Sequence, residues 1–133
     1  MANETSEAAE DLVVLTLPAS SAYLSVLRTV TAGLAARLDF TLDEIEDLRI
    51  AVDEACAMLL TDAAPDADLT CRFQLDHGLI RVDVTVLTGS NKLPARDTFA
   101  WTVLSALVGQ VDATADAAGT VTIRLVKRKG EFA

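Results

Sequence analysis

The sequence has 133 residues, of which 51% are hydrophobic, and this suits a single globular domain with an adequate core. Its formal net charge of −9 argues against binding to a phosphate backbone and favours basic partners. No apolar run approaches membrane-spanning length, and residues 1–10 are polar and acidic, unlike a secretion signal. We therefore expect a cytoplasmic protein that binds neither nucleic acid nor membrane, with residues 1–10 disordered and residues 11–129 forming one domain.

The first half of the chain predicts one strand followed by two helices. The apolar run 12–17, closed by Pro18, predicts the strand. Ser20 or Ser21 can cap a first helix, and a tight connection leads from it into the second. The first helix has apolar residues at helical spacing: Tyr23, Leu24, Leu27, Val30, Leu34 and Leu38.

The second helix, predicted over residues 41–60, is the most informative element of the sequence. Thr41 and Glu44 have the spacing of a capping box, in which each side chain accepts the backbone N–H of the other residue. A carboxylate, Glu54, stands among apolar neighbours on a second face, and this makes that face a functional candidate. The core stripe consists of Ile45, Leu48, Val52, Ala55, Cys56 and Leu59, and the second face of Asp47, Ile50, Ala51, Glu54 and Met58.

The second half of the chain predicts a hairpin, a helix and two strands. The hairpin has one buried face, because apolar residues alternate on both sides of the turn Asp76-His77-Gly78. In the helix, Phe99 is expected on the apolar side and Trp101 at its edge. This order predicts an α+β fold with the helices on one face of a mixed, mostly antiparallel sheet. The predicted ranges are 69–75 and 80–86 for the hairpin strands, 88–97 for a polar loop, 98–109 for the helix, and 111–115 and 121–125 for the last strands.

Acidic residues are concentrated between residues 39 and 54. They can form a solvated helix face that keeps the protein in solution, or a docking surface for a basic protein. The sequence leaves both interpretations open. The candidate docking residues are Asp43, Glu44, Glu46 and Asp47.

Motifs of common catalytic and metal sites are absent from the sequence. It contains no Gly-rich phosphate loop and no Gly-x-Ser-x-Gly, His-Glu-x-x-His or Cys-x-x-Cys motif. His77, the one histidine, lies in a predicted turn, where a surface position is favoured over the role of a catalytic base. Cys56 and Cys71 cannot assemble four zinc ligands with a single histidine, so we expect buried thiols, with a disulfide between them as the alternative.

The run Asp47-Leu-Arg-Ile-Ala-Val-Asp-Glu-Ala-Cys56 resembles the signature helix of bacterial anti-sigma factors that double as serine-protein kinases. These proteins form the RsbW-like group of the GHKL (gyrase, Hsp90, histidine kinase, MutL) ATPase superfamily. The resemblance extends over about residues 11–127, and Phe99-x-Trp-x-Val-Leu-x-Ala-Leu-Val108 is similar to the actinobacterial branch. It implies the two-layer α/β sandwich of the histidine-kinase-like ATPase (Bergerat) type.

The resemblance also implies roles for single positions. The family's general base corresponds to Glu54, and its magnesium-binding asparagine, four residues later, corresponds to Met58. The family's adenine-reading Asp-x-Gly-x-Gly element is reduced to Gly89, and its Gly-rich phosphate lid to a short loop over residues 90–98. A thioether is a poor ligand for magnesium, so we expect a degenerate nucleotide site that holds no metal or cofactor.

Two functions of different classes follow from the resemblance. The first is an anti-sigma factor, a homodimer that sequesters a stress or developmental sigma factor and is released by an anti-anti-sigma protein with a STAS domain. The second is an active serine kinase that phosphorylates this antagonist with ATP and magnesium, using Glu54 as the base. A remnant of the fold with another partner stays open as a third interpretation.

Overall fold

A computed structural model describes residues 11–90 and 92–130. The predicted disorder of residues 1–10 lies outside this part of the chain. The element order agrees with the sequence prediction, and boundaries move by only a few residues. The strands are β1 (Asp11–Pro18), β2 (Asp68–Asp76), β3 (Leu79–Leu87), β4 (Gln110–Ala115) and β5 (Thr120–Arg128), and the helices are α1 (Leu24–Arg37), α2 (Leu42–Leu60) and α3 (Phe99–Leu107), with a 3-10 turn over Ser21–Tyr23 before α1.

The five strands form one sheet in the order β1-β2-β3-β5-β4. All four neighbouring pairs are antiparallel, so the sheet of the described residues has no parallel pair, although the prediction allowed some. The β2–β3 hairpin turns at His77-Gly78, where Gly78 has a φ of 67° that favours glycine. The predicted α+β architecture with helices on one face of a mostly antiparallel sheet is confirmed.

Helix α2 is the centre of the helix layer, since it packs against α1, α3 and the sheet strands β3 and β5. The predicted core stripe is buried except for Ile45, which is half-buried. Ala51, which was assigned to the second face, is also fully buried, because helices on both sides of α2 cover more than one of its faces. The second face is therefore narrower than the periodicity indicated.

On strands β2, β3 and β5, the sheet surface that faces away from the helices is mostly polar. Asp83 on β3 is 8% exposed, and both of its carboxylate oxygens accept hydrogen bonds from Arg124 on β5, at 2.8 and 2.9 Å. The hydrogen bond from Arg124 to Asp83 raises the pKa of the arginine against the effect of its partial burial. A buried carboxylate thus has the paired, bidentate contact that such a group requires.

In α3 the predicted positions of the two aromatic residues are reversed. Phe99 is 83% exposed, whereas Trp101 is 8% exposed and lies under the guanidinium of Arg96, 5.0 Å from the ring centroid. Trp101, Leu104 and Val108 lie three or four residues apart and form the buried stripe. Phe99 is two residues from Trp101, about 200° around the helix, and so falls on the opposite side.

Candidate functional site

A cavity of about 370 Å³ lies where the C-terminal end of α2 meets the loop after β3. Met58 contributes from the helix, and Thr88 and Ser90, which flank Gly89, contribute from the loop. The two positions that the resemblance relates to nucleotide binding, Met58 and Gly89, are therefore brought together although they are far apart in sequence. The lining residues are Met58, Leu59, Thr61, Asp62, Thr88, Ser90, Lys92, Leu93 and Pro94.

The loop on this cavity is tied to the end of α2 by Asp62. The Gly89 N–H donates to the Asp62 carbonyl at 2.9 Å, and the Ser90 hydroxyl donates to the Asp62 carboxylate. The Ala64 N–H donates to the Leu87 carbonyl at 2.8 Å and continues the connection. The Gly89 amide, a group that could bind a phosphate, is therefore already bonded within the chain.

The other end of the same loop is fixed to the edge strand β4. Arg96 donates to the Asp112 carboxylate at 2.6 Å and to the Ala113 carbonyl at 3.3 Å, while its guanidinium covers the Trp101 ring. The hydrogen bond from Arg96, with one from the Ala113 N–H, lowers the pKa of Asp112. The described residues on both sides of this loop are thus held by contacts with the end of α2 and with β4.

Glu54 lies on α2 four residues before Met58 and is half-buried, but it does not line the cavity. Its neighbour Asp53 bonds Arg28 on α1 at 2.9 Å and links the two helices. The second oxygen of Asp53 is buried and makes no hydrogen bond within the described residues. The structure therefore keeps Glu54 near the cavity without bringing it together with the lining groups.

The four acidic docking candidates divide into two kinds. Glu44 is used internally: its carboxylate accepts the Thr41 N–H at 2.8 Å and the Gly130 N–H at 2.5 Å, and the Glu44 N–H donates to the Thr41 hydroxyl at 3.1 Å. This confirms the capping box. Glu46 pairs with Arg49 at 2.9 Å on the helix surface, and Asp43 is exposed. Asp47 is half-buried and lines a second cavity.

This second cavity, of about 470 Å³, lies at the N-terminal end of α2 against the end of β5. Burial acts to raise the pKa of Glu44, but the hydrogen bonds from Gly130 and Thr41, with the charge of Lys127, outweigh burial and lower it. Lys127 is 1% exposed and donates to the Leu107 carbonyl at 2.7 Å. The lining residues are Thr41, Asp43, Glu44, Asp47, Lys127, Lys129 and Gly130.

Cys56 and Cys71 are both buried and unoxidised. The hydrogen bond between the two thiols, and then burial, raises the pKa of Cys56. His77 is exposed in the hairpin turn, as predicted. Among the described residues, no group of three or more His, Cys, Asp or Glu side chains is placed to hold a metal ion. In the same part of the chain, none of the helices has the length and apolar character needed to span a membrane.

At the first cavity, two positions lack the groups that the resemblance implies for magnesium and phosphate binding. Met58 offers a thioether where an oxygen ligand would be needed, and the Gly89 amide already has an acceptor. Asp62 and Ser90, which shape the cavity, were missed by sequence reasoning. They are 28 residues apart and neither belongs to a recognised motif, so the sequence carried no signal for their contact.

The chain has sequence relatives among known bacterial proteins. No protein-family model matches the chain. The anti-sigma-F factor RsbW of Mycobacterium tuberculosis (strain H37Rv) is 32% identical over 99 residues, which make up 74% of this chain and 59% of that protein. The serine-protein kinase RsbW of Bacillus velezensis is 39% identical over 77 residues, or 56% of this chain and 48% of that protein. The chain is a relative of the RsbW proteins. It spans about half the length of the two curated relatives.

The fold comparison agrees with the sequence comparison. The crystal structure of the RsbU and RsbW domains of a Mycobacterium tuberculosis protein superposes with a TM-score of 0.71 at 19% identity, covering 90% of this chain and 32% of that chain. At this identity the match establishes the fold alone. The histidine-kinase-like ATPase fold that the resemblance implied is confirmed.

Proposed function

We propose that this protein is an anti-sigma factor that binds and sequesters an alternative sigma factor of RNA polymerase in the cytoplasm. The observation that carries the proposal is its similarity, over 74% of the chain, to a protein named an anti-sigma-F factor. The acidic surface and the net charge of −9 support binding to a basic protein segment. By analogy with the group, an anti-anti-sigma protein with a STAS domain would release the sigma factor.

The proposed sigma-binding surface is the exposed acidic side of α2. Asp43, Glu46 and Asp47 have carboxylates that can meet basic side chains, whereas the Glu44 carboxylate is already hydrogen-bonded to two backbone N–H groups. Leu42, the first residue of the helix, is 85% exposed and adds an apolar contact to this acidic surface. A surface of this composition suits a basic amphipathic helix.

Binding of the purified chain to a co-expressed sigma factor tests this function. We expect a complex at micromolar concentration that weakens as salt is added, because its contacts are partly electrostatic. The double substitution Asp43→Lys and Asp47→Lys should weaken it about tenfold. The double substitution Asp68→Lys and Asp97→Lys makes the same charge change on exposed residues outside the helix and serves as the control. No complex with the unchanged chain would refute the proposal.

An active serine kinase is the second candidate function, because a relative that bears this name is 39% identical over 77 residues. Glu54 is the residue for the role of general base, since it lies one helical turn before Met58. Transfer of labelled phosphate from ATP to the STAS-domain antagonist, abolished by Glu54→Ala, would establish this function. We expect no transfer, because the site lacks a magnesium ligand at Met58.

We also propose that the protein is a homodimer, and the two edges of the sheet indicate where the copies meet. Strand β1 is an edge whose residues 12–17 carry no charge, and Leu12 and Val14 on its outer side are 50% and 48% exposed. The other edge, β4, is protected by Arg96, which bonds Asp112 and the Ala113 carbonyl. Exposed apolar edges tend to pair with another strand.

Light scattering coupled to gel filtration tests this dimer. Val14→Lys should shift the mass toward the monomer, because it places a charge on the proposed contact. Thr114→Lys adds the same charge on the exposed side of β4 and should leave the mass unchanged. Equal masses for both variants and the unchanged chain would exclude β1 as the contact.

A further inference from the structure

We propose that Asp62 acts as a resident anion in the cavity at the C-terminal end of α2 and so prevents phosphate-bearing ligands from binding there. The inference rests on the proposed function only in treating this cavity as a nucleotide site that has lost its role. It does not depend on the identity of the sigma factor.

The three hydroxyl groups that line this cavity, and the neighbouring Gly89 amide, already have acceptors. The Thr61 hydroxyl donates to the Met58 carbonyl at 2.8 Å, and the Thr88 hydroxyl donates to the Gly119 carbonyl at 2.9 Å. The Ser90 hydroxyl donates to the Asp62 carboxylate, and the Gly89 N–H donates to the Asp62 backbone carbonyl. Asp62 therefore accepts from two donors that an incoming oxyanion could use, one of them through its carboxylate.

The charge of Asp62 at the cavity also opposes the binding of an anion. Lys92 is exposed and lines the cavity, and it is the one basic residue there among those the structure describes. Asp62 is the one acidic residue in the same lining, so the two formal charges cancel. An ammonium group and a hydroxyl that line one cavity are suitable partners for a phosphate oxygen. The Asp62 carboxylate accepts the Ser90 hydroxyl and repels a second anion.

The position of Asp62 also holds the loop. Its carboxylate bonds Ser90, and the Ser90 oxygen in turn accepts the Lys92 N–H at 3.3 Å. The segment that carries Lys92 is thereby kept against the end of α2. The same contacts that occupy the donors therefore fix the cavity in its present shape.

Isothermal titration of the full chain with inorganic pyrophosphate tests the proposal. We expect no measurable binding by the unchanged chain at millimolar concentration. Asp62→Asn removes the charge while leaving an acceptor for Ser90, and it should raise the affinity about tenfold, the effect of removing one like charge at close range in a partly exposed site. Asp62→Ala also releases the Ser90 hydroxyl and should raise the affinity at least as much.

Two controls separate this effect from a change in overall charge. Asp68→Asn removes one negative charge at the exposed start of β2, outside the cavity, and should leave pyrophosphate binding undetected. Lys92→Gln on the Asp62→Asn background should abolish the gained binding. The proposal is overturned if Asp62→Asn, shown to be folded by circular dichroism, binds pyrophosphate no better than the Asp68→Asn variant.

The same preparations distinguish this proposal from the proposed function. If the sigma factor binds the chain but Asp62→Asn gains no pyrophosphate affinity, the resident-anion proposal fails alone. If the affinity rises but no sigma complex forms, the anti-sigma function fails alone. ATP without magnesium serves as a second probe, and its binding should rise in the same variants.

Discussion

The two ends of α2 each border a cavity, and the two cavities differ in how their charges are used. At the N-terminal end, carboxylates and lysines of distant segments meet around a capped helix start. At the C-terminal end, a lining of mixed polar and apolar residues contains one acid and one base, Asp62 and Lys92. The helix dipole favours acids at the first end and opposes them at the second. Asp62 just beyond the second end is therefore held by its bonds to Gly89 and Ser90 rather than by the helix.

This difference shows that an acidic residue on or near a helix is not always available to bind a partner protein. Glu44 stabilises the chain from within, as its capping-box spacing predicted, and Asp62 closes a cavity that its place in the sequence did not indicate. Asp43 and Asp47 make no such backbone contact among the described residues. Single substitutions should distinguish the acids that stabilise the fold from those that are free to bind a partner protein.

The largest effect is expected from Lys127, a buried residue of β5 that lines the cavity at the N-terminal end of α2 and bonds α3. Its buried ammonium donates to the Leu107 carbonyl in the last turn of α3 and acts on the Glu44 carboxylate. Lys127→Met keeps most of the side-chain volume but removes the charged donor, and it should cost about 2 kcal/mol in the free energy of unfolding. Urea denaturation measures the change. Lys129→Met, at an exposed residue of the same segment, is the control and should cost less than about 0.5 kcal/mol.

A smaller loss is expected from Glu44→Ala. It removes the carboxylate that completes the capping box and accepts the Gly130 N–H, and a lost cap costs about 1 kcal/mol. Glu46→Ala removes an exposed acid whose pair with Arg49 is worth about 0.3 kcal/mol. Thermal or urea unfolding of both variants gives the comparison. Equal stability of the two would show that Glu44 is a surface acid after all.

The pH dependence of stability also tests the role of Glu44 at the N-terminal end of α2. Because the pKa of Glu44 is lowered in the folded chain, its contribution is present above the ordinary value of 4.5 and is lost as the pH falls below it. The unchanged chain should therefore lose more stability than Glu44→Gln between pH 5 and about pH 3. Urea midpoints at these pH values measure the difference, and parallel losses in the two proteins would contradict the assignment.

Periodicity predicted the elements of this fold because burial governs their positions. The stripe from Leu48 to Leu59 and the alternating hairpin were correct for that reason. Phe99 and Trp101 were exchanged because a nine-residue helix offers too few turns to fix its apolar side. The resemblance brought Met58 and Gly89 together, but the Asp62–Ser90 contact joins residues 28 apart through a side chain, and local patterns carry no record of such a pair.

The smallest effect is expected at the C-terminal end of α2, where Met58→Asn restores an amide oxygen at the family's magnesium position. One ligand does not rebuild the site, because the Gly89 amide still bonds the Asp62 carbonyl and the loop remains held at Arg96. We expect ATP with magnesium to change the melting temperature of this variant by less than about 1 °C, since a ligand stabilises the folded state only by its own binding free energy. The double variant Met58→Asn, Asp62→Asn should respond more strongly than either single variant, because it also removes the charge that opposes phosphate. A large response of Met58→Asn alone would mean that the metal ligand, and not the closed loop, is the main defect of this end.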